Sequence, residues 1–188
     1  MKKFIVSLLL VILSSSLAAQ EEKKDPLIVN VEGVYGLGNI HDHDQNGSGG
    51  IGFGIGAWLP FKEGFIDLGL DFTSSASRNN GELQFLFVKP FRLLSDSTME
   101  INGYAGAGIV LGRIFNNEDY FRDNGFLGPV EDYNDGGVIG NIGLELKPVN
   151  TNYSFYLDAK TGIVSVPKWA DNVTTPFKIS LGLRFLLD

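Results

Sequence analysis

From Pro26 onward the chain repeats one pattern, in which apolar residues occupy every second position for about ten residues before a polar break. In Gly50–Leu59, for example, apolar side chains beginning at Ile51 alternate with glycines. A period of two is that of a β-strand, whose successive side chains point to opposite faces. About ten residues of this pattern is also the length with which a tilted strand crosses a bilayer. The pattern therefore predicts membrane-spanning strands.

Eight segments share this alternation, and no amphipathic helix is predicted beyond the N-terminal segment. They resemble one another only in pattern, so the chain is not a solenoid of repeated sequence. The predicted fold is all-β, an eight-stranded antiparallel up-and-down transmembrane β-barrel. The predicted strands are Leu27–Leu37, Gly50–Leu59, Phe65–Phe72, Glu82–Phe91, Met99–Leu111, Val138–Lys147, Tyr153–Ile163 and Phe177–Leu187.

The predicted connections alternate in length along the chain. A membrane barrel with short periplasmic turns and longer outer loops has this alternation. An even number of strands then places both termini on the periplasmic side. The shorter connections are 60–64, 92–98 and 148–152, and the longer ones are 38–49, 73–81, 112–137 and 164–176.

Residues 1–19 have the three parts of a secretory signal peptide. Two lysines precede the apolar core Phe4–Leu13, and a run of small residues ends at Ala19. We expect cleavage after Ala19, then a charged periplasmic lead at 20–26 and a barrel domain at 27–188. The apolar core is too short to form a spanning helix.

The balance of charges is acidic. Removal of the signal peptide takes the formal charge from −7 to about −9. Such a chain is a poor partner for nucleic acid. The absence of cysteine excludes disulfides and a lipid-modified N-terminal cysteine. We also expect no cofactor.

The face that carries the charges decides between two kinds of barrel. A soluble barrel of the lipocalin type encloses its apolar face, whereas a membrane barrel turns that face to lipid. Here the polar face combines charged side chains with glycines, which would leave room for long neighbours inside a narrow lumen. Opposite charges enclosed there can pair. We therefore predict a packed ionic lumen and a lipid-facing apolar belt, with the soluble barrel as the alternative. The charged residues of the polar face are Glu32, Asp67, Asp71, Glu82, Glu100, Glu145, Lys147, Asp158, Lys160, Lys178 and Arg184.

In pattern, size and signal peptide, the chain resembles the small eight-stranded outer-membrane barrels of the OmpA/OmpX type. The resemblance covers residues 27–188. The last strand, Phe177–Phe185, is similar to the assembly signal of that family, although Leu186 and further residues follow the aromatic one. The resemblance implies a monomer in the bacterial outer membrane that contacts lipid and lipopolysaccharide and is inserted by the barrel assembly machinery.

One predicted loop contains part of a calcium-binding motif. Asp42, Asp44, Asn46 and Gly47 match the first half of such a loop, in which oxygen ligands alternate before a sharp turn. The position that should supply a bidentate glutamate is Phe53. We therefore favour a polar hairpin loop and predict no metal site.

The two histidines offer a second metal hypothesis and an enzymatic one. With the neighbouring aspartates, His41 and His43 could hold a transition metal, although ligands from one loop make a weak site. Some outer-membrane barrels modify lipid A through a loop histidine, a serine and an acidic residue. Here Asp71, Ser74 and Ser75 could supply the other groups. No family motif is matched residue by residue, so we predict a non-catalytic protein.

The longest predicted loop, Asn116–Gly137, interleaves acidic and aromatic residues. It could fold over the barrel mouth, bind cations that bridge lipopolysaccharide phosphates, or remain a mobile acidic loop. We predict a structural or surface-interaction role through the outer loops. The alternative is a small channel or carrier for apolar molecules, which requires an open lumen that the charged interior argues against.

Overall fold

The computed structural model describes residues 26–39, 50–128, 131–165 and 173–187. The predicted signal peptide and most of the charged lead lie outside these ranges. The strands and the helix within them are β1 (Leu27–Asn39), β2 (Gly50–Phe61), β3 (Gly64–Ser74), β4 (Arg78–Ser95), β5 (Met99–Asn116), α1 (Glu118–Asp123), β6 (Tyr133–Pro148), β7 (Tyr153–Ser165), β8 (Val173–Thr174) and β9 (Pro176–Leu187).

Eight long strands of the described chain close into a barrel. From β1 to β7 each strand pairs antiparallel with its neighbour in sequence, β7 pairs with β9, and β9 returns to β1. The closing pair begins at Leu27, opposite Leu187. The two-residue strand β8 pairs only with the end of β7. The predicted eight-stranded up-and-down barrel is therefore confirmed.

The two ends of the barrel differ. We call the end that holds Leu27 and Leu187 the terminal end, and the opposite end the loop end. Each strand crosses from one end to the other because consecutive strands are antiparallel. At the terminal end lie the connections 62–63, 96–98 and 149–152, and at the loop end lie 75–77 and 117–132.

The prediction of a longer loop at 73–81 is wrong. The β3 strand continues to Ser74 and β4 begins at Arg78, so residues 75–77 alone connect them. The amide of Ser75 donates to the Arg78 carbonyl at 2.9 Å. Polar residues here interrupt the apolar alternation, but a strand end above the lipid needs only its backbone ladder. Loss of the pattern therefore marks the end of the lipid contact and not the end of the strand.

The predicted loop 112–137 is shorter than expected for the same reason. Strand β5 continues to Asn116 and β6 begins at Tyr133. The connection contains α1, which Asn117 caps through its side chain. The expectation of no helix is wrong here, because six residues are too few to show a helical period. Within the described ranges no helix combines the length and hydropathy needed to cross a membrane.

The height of the apolar belt matches a bilayer core. On the outward face of β4, the polar residues that bound the belt are Lys89, paired with Glu63 at 3.1 Å, and Asn79. Ten residues at about 3.4 Å each, tilted by about 40°, span about 26 Å, close to the ~25 Å band of membrane barrels. Between Lys89 and Asn79, the outward positions of β4 are occupied by Phe87, Phe85, Leu83 and Gly81. The apolar face is therefore the lipid-facing one, as predicted, which removes the soluble barrel alternative.

The β4 strand has a free edge at the terminal end. Its pairing with β3 stops at Val88, so residues 89–95 are paired with β5 only. This edge carries Lys89, Pro90 and Arg92, and the register shifts between Arg92 and the next paired residue. Charges, proline and bulges are the devices that prevent edge-to-edge pairing. We infer that this edge is protected against adding another strand.

The 96–98 turn depends on one carboxylate. Oxygen Oδ1 of Asp96 accepts from the Thr98 amide at 2.7 Å, the Thr98 hydroxyl at 2.8 Å and the Met99 amide at 2.8 Å. These bonds favour the charged form and lower the pKa of Asp96.

Replacing Asp96 by Asn should loosen this turn, because an amide oxygen is a weaker acceptor than a carboxylate. We expect the hydrogen-exchange protection factors of the Thr98 and Met99 amides to fall, while those of the 149–152 turn stay unchanged. In the wild type the bonds are complete above the unfolded-state pKa and are lost as pH falls through the lowered folded-state pKa. Unchanged protection in the variant would contradict this account.

Candidate functional site

A lysine at the centre of the lumen joins three strands. The Nζ atom of Lys160 lies 2.9 Å from Glu32 Oε1, 3.7 Å from Asp71 Oδ2 and 3.8 Å from Asp158 Oδ2. The Tyr156 hydroxyl donates to the other oxygen of Glu32 at 2.6 Å. Strands β1, β3 and β7 are thus tied across the lumen by charges that are almost fully buried.

A second lysine extends this network toward the loop end. Lys178 forms an ion pair with Glu82 and lies 3.6 Å from Asp71 Oδ2. The side-chain amide of Gln84 donates to the same Asp71 oxygen at 2.5 Å. Because Asp71 contacts both lysines, the central and loop-end charges form one connected network.

An arginine occupies the lumen nearer the terminal end. The guanidinium carbon of Arg184 lies 3.7 Å from the ring centre of Trp58, 4.1 Å from that of Tyr156 and 4.4 Å from that of Tyr104. Its Nη1 atom is 3.5 Å from Glu145 Oε1. A guanidinium stacks well on aromatic faces and is only weakly hydrated. This cation and its three rings form an aromatic layer across the lumen.

Glycines make room for these side chains, as the sequence predicted. A Cβ atom on Gly54 would lie 2.6 Å from Asp71 Oδ1 and 2.8 Å from Glu32 Cγ. On Gly143 it would collide with the Tyr104 ring. A larger residue at either position would therefore displace part of the network.

Some buried polar atoms of the lumen have no protein partner. They include the Oδ1 atoms of Asn30, Asp67 and Asp158 and both side-chain polar atoms of Asn141. Such atoms in folded proteins bind ordered water. We therefore expect the lumen to be locally hydrated. In the described ranges, no three histidines, cysteines or carboxylates are grouped closely enough to hold a metal ion.

The structure leaves the histidine and calcium hypotheses untested but separates the other parts of the enzymatic hypothesis. Asp71 is buried against Lys160 in the lumen, whereas Ser74 is exposed and donates to Asn79. Ser75 is bound to the Arg78 carbonyl in the turn. These groups do not converge on one site. The candidates that lie outside the described residues are His41, Asp42, His43, Asp44 and Asn46.

Most of the predicted polar face does line the lumen network, but the layer that three aromatic side chains form with Arg184 was not predicted. Glu100 and Lys147 are half-buried opposite each other at the terminal end and belong to none of the contacts above. The inward direction of these rings could have been predicted from the alternation along each strand, because Trp58, Tyr104 and Tyr156 each occupy a polar-face position.

Comparison with solved structures supports the fold. The chain is similar to Neisserial surface protein A (NspA), with 12% identity over 85% of this chain and 94% of that one and a TM-score of 0.54. It is also similar to OprG from Pseudomonas aeruginosa (12% identity, 87% and 97% covered, TM-score 0.48) and to the outer membrane enzyme PagL (16%, 83% and 98%, 0.47).

No family model and no curated protein sequence matches the chain. At 12% identity the likeness to NspA concerns the fold alone. The resemblance predicted from residues 27–188 is confirmed at this level: the chain has the fold of the small eight-stranded outer-membrane β-barrels.

Proposed function

We propose that this protein is a non-catalytic β-barrel of the bacterial outer membrane, with a structural or surface-interaction role carried by its loop end. The observation that carries the proposal is the network that crosses the lumen. Lys160 ties three walls of the barrel at its centre, and the Arg184 layer lies nearer the terminal end. Side chains, rather than a solute path, occupy this interior, which is typical of an eight-stranded barrel.

The proposed orientation and partners follow from the ends of the barrel. In bacterial barrels short turns face the periplasm and longer loops face outward. The terminal end, with connections 62–63, 96–98 and 149–152, would then face the periplasm, and both termini would lie on that side. The protein would be a monomer, inserted by the barrel assembly machinery and surrounded by lipid and lipopolysaccharide.

The connection 117–132 supports a surface-interaction role. Helix α1 buries none of its residues, and Glu118 pairs with Arg122 on its surface. Beyond the helix, Phe126 packs edge to face against Phe121 with ring centres 6.0 Å apart, and Leu127 is 99% exposed. An apolar tip beside acidic residues fits a partner that presents basic residues around an apolar patch.

Electrical recording tests the proposal against the channel alternative. We expect the folded wild type to give no stepwise current in a planar bilayer, because charged side chains fill the lumen. Heat-modifiable gel mobility would show beforehand that the sample is folded. The double variant Glu32→Ala, Lys160→Ala removes two facing side chains without changing the net charge, and we expect it to remain closed because the Arg184 layer still crosses the lumen. Stepwise currents from the folded wild type would contradict the proposal.

Lipid analysis tests the non-catalytic part separately. Mass spectrometry of lipid A from cells that express the wild type should match that from cells without the protein. His41→Ala and His43→Ala variants are the matched controls, because the enzymatic hypothesis depends on these residues. A modified lipid A that disappears with either histidine would contradict the non-catalytic assignment.

A further inference from the structure

A groove lies on the outer face of the barrel near its loop end. It has a volume of about 260 Å³ and is lined almost entirely by apolar atoms. Phe72 and Phe115 flank it, Ile51 and Phe53 lie at one side, and Gly81 is among its lining residues. All four apolar side chains are exposed. The groove is therefore an indentation in the lipid-facing surface and not part of the lumen network.

The groove exists because glycine replaces a side chain in the apolar belt. Gly81 stands opposite Phe72 on one strand and Arg113 on the other. A Cβ atom on Gly81 would lie 3.5 Å from the nearest Phe72 ring atom, an ordinary contact distance. A side chain could thus be accommodated at this position, and the groove is not required by backbone packing.

A cation lies beside the groove at the edge of the belt. The guanidinium carbon of Arg113 is 5.1 Å from the centre of the Phe115 ring, which forms one wall. The Arg113 side chain is 57% exposed. Its Nη2 atom is 3.8 Å from Asp132 Oδ2, which is longer than a hydrogen bond. Because Arg113 pairs with Gly81, one outward position from the belt boundary at Asn79, its long side chain can reach that boundary with donors available to a ligand.

Polar groups complete the upper edge of the groove. The Ser74 hydroxyl donates to Asn79 Oδ1 at 2.7 Å, and both residues line the groove. This bond uses the oxygen of the Asn79 amide and leaves its NH₂ group as a donor. Ser74 and Asn79 thus place polar groups at the loop-end edge of the apolar groove, where acyl chains give way to headgroups.

We propose that this groove binds one acyl chain of an anionic, phosphate-bearing lipid in the leaflet at the loop end, with Arg113 contacting the phosphate. The groove is continuous with the lipid-facing belt, so acyl chains are what surround it. A cation at the membrane surface attracts anionic headgroups, and guanidinium groups bind phosphate in a bidentate manner. The inference goes beyond the proposed function and does not depend on the role of the loops.

Native mass spectrometry of the folded protein in detergent tests this site. Phosphatidylglycerol serves as the anionic probe and phosphatidylcholine as the zwitterionic one. We expect the first phosphatidylglycerol to bind about fivefold more tightly than phosphatidylcholine, the contribution of one basic residue at an anionic surface. Arg113→Gln should abolish this preference. Gly81→Leu should fill the groove and weaken the first binding step of both lipids by about tenfold, corresponding to lost contact with roughly two methylene groups.

The barrel offers matched controls for both changes. Gly140 is an outward-facing glycine on β6 with room for a side chain, and Lys89 is an exposed outward cation at the opposite end. Gly140→Leu and Lys89→Gln should bind both lipids as the wild type does. If Gly81→Leu behaves like Gly140→Leu, or Arg113→Gln like Lys89→Gln, the site is overturned. Gel mobility and conductance of the same variants report separately on the proposed function.

Discussion

Replacing Lys160 by Met should lower the free energy of unfolding by about 3–5 kcal/mol, the usual cost of removing one partner from a buried ion pair. Lys160 faces Glu32, Asp71 and Asp158 inside the lumen, and all four side chains are at most 7% exposed. Of the other cations, Lys178 contacts Asp71 but has no ion pair with Glu32 or Asp158. The variant would therefore leave Glu32 and Asp158 in a low-dielectric interior without an ion-pair partner among the described residues, which is far costlier than the loss of the lysine's apolar contacts.

Urea unfolding of the refolded protein in lipid vesicles, followed by gel mobility, measures this change. The matched control is Lys89→Met, which removes an exposed ion pair with Glu63 on the outer face and should cost no more than about 1 kcal/mol. Adding Glu32→Gln to Lys160→Met should recover part of the loss, because one unpaired carboxylate is neutralised. A Lys160→Met barrel as stable as the Lys89→Met barrel would contradict the role given to the network.

The alternation of residue types was enough to assign the strands, and the charges and glycines on one face then assigned that face to the lumen. It could not assign partners within the lumen. Glu32 and Lys160 are separated by 128 positions. They meet only because β1 and β7 lie on the two sides of β9. Such a contact depends on the register of every intervening strand, and no local pattern encodes that register.

Strand ends were predicted less well than strand centres. Lipid contact enforces the alternation only within the belt, so Ser74 and Asn79 gave no strand signal although they are paired in the ladder. The groove could not be predicted for the same reason, because it lies where the apolar alternation ends. Gly81 reads as one more turn-forming glycine in a polar segment, and its position beside Phe72 and Arg113 appears only once the strands are aligned.

The aromatic layer gives the second large expected effect. Replacing Arg184 by Lys keeps the charge, yet we expect the free energy of unfolding to fall by about 2 kcal/mol, the value of a desolvated cation–π contact. Three ring centres lie within 4.4 Å of the guanidinium carbon of Arg184. An ammonium group is compact and strongly hydrated, so it cannot stack on Trp58, Tyr104 and Tyr156 as a planar group does.

A second arginine in this barrel allows the stacking to be tested at constant charge. Arg113→Lys makes the same substitution where the side chain is 57% exposed and contacts one ring, so its cost should not exceed about 1 kcal/mol. Both variants are compared by urea unfolding in vesicles, and near-ultraviolet circular dichroism should change for Arg184→Lys because its contacts fix the orientation of Trp58. If the two substitutions lower the free energy of unfolding by the same amount, contact with the three buried rings contributes no stability beyond that of the charge. A larger cost at Arg184 together with an altered aromatic signal would show that the barrel requires the guanidinium itself, since lysine supplies the same charge.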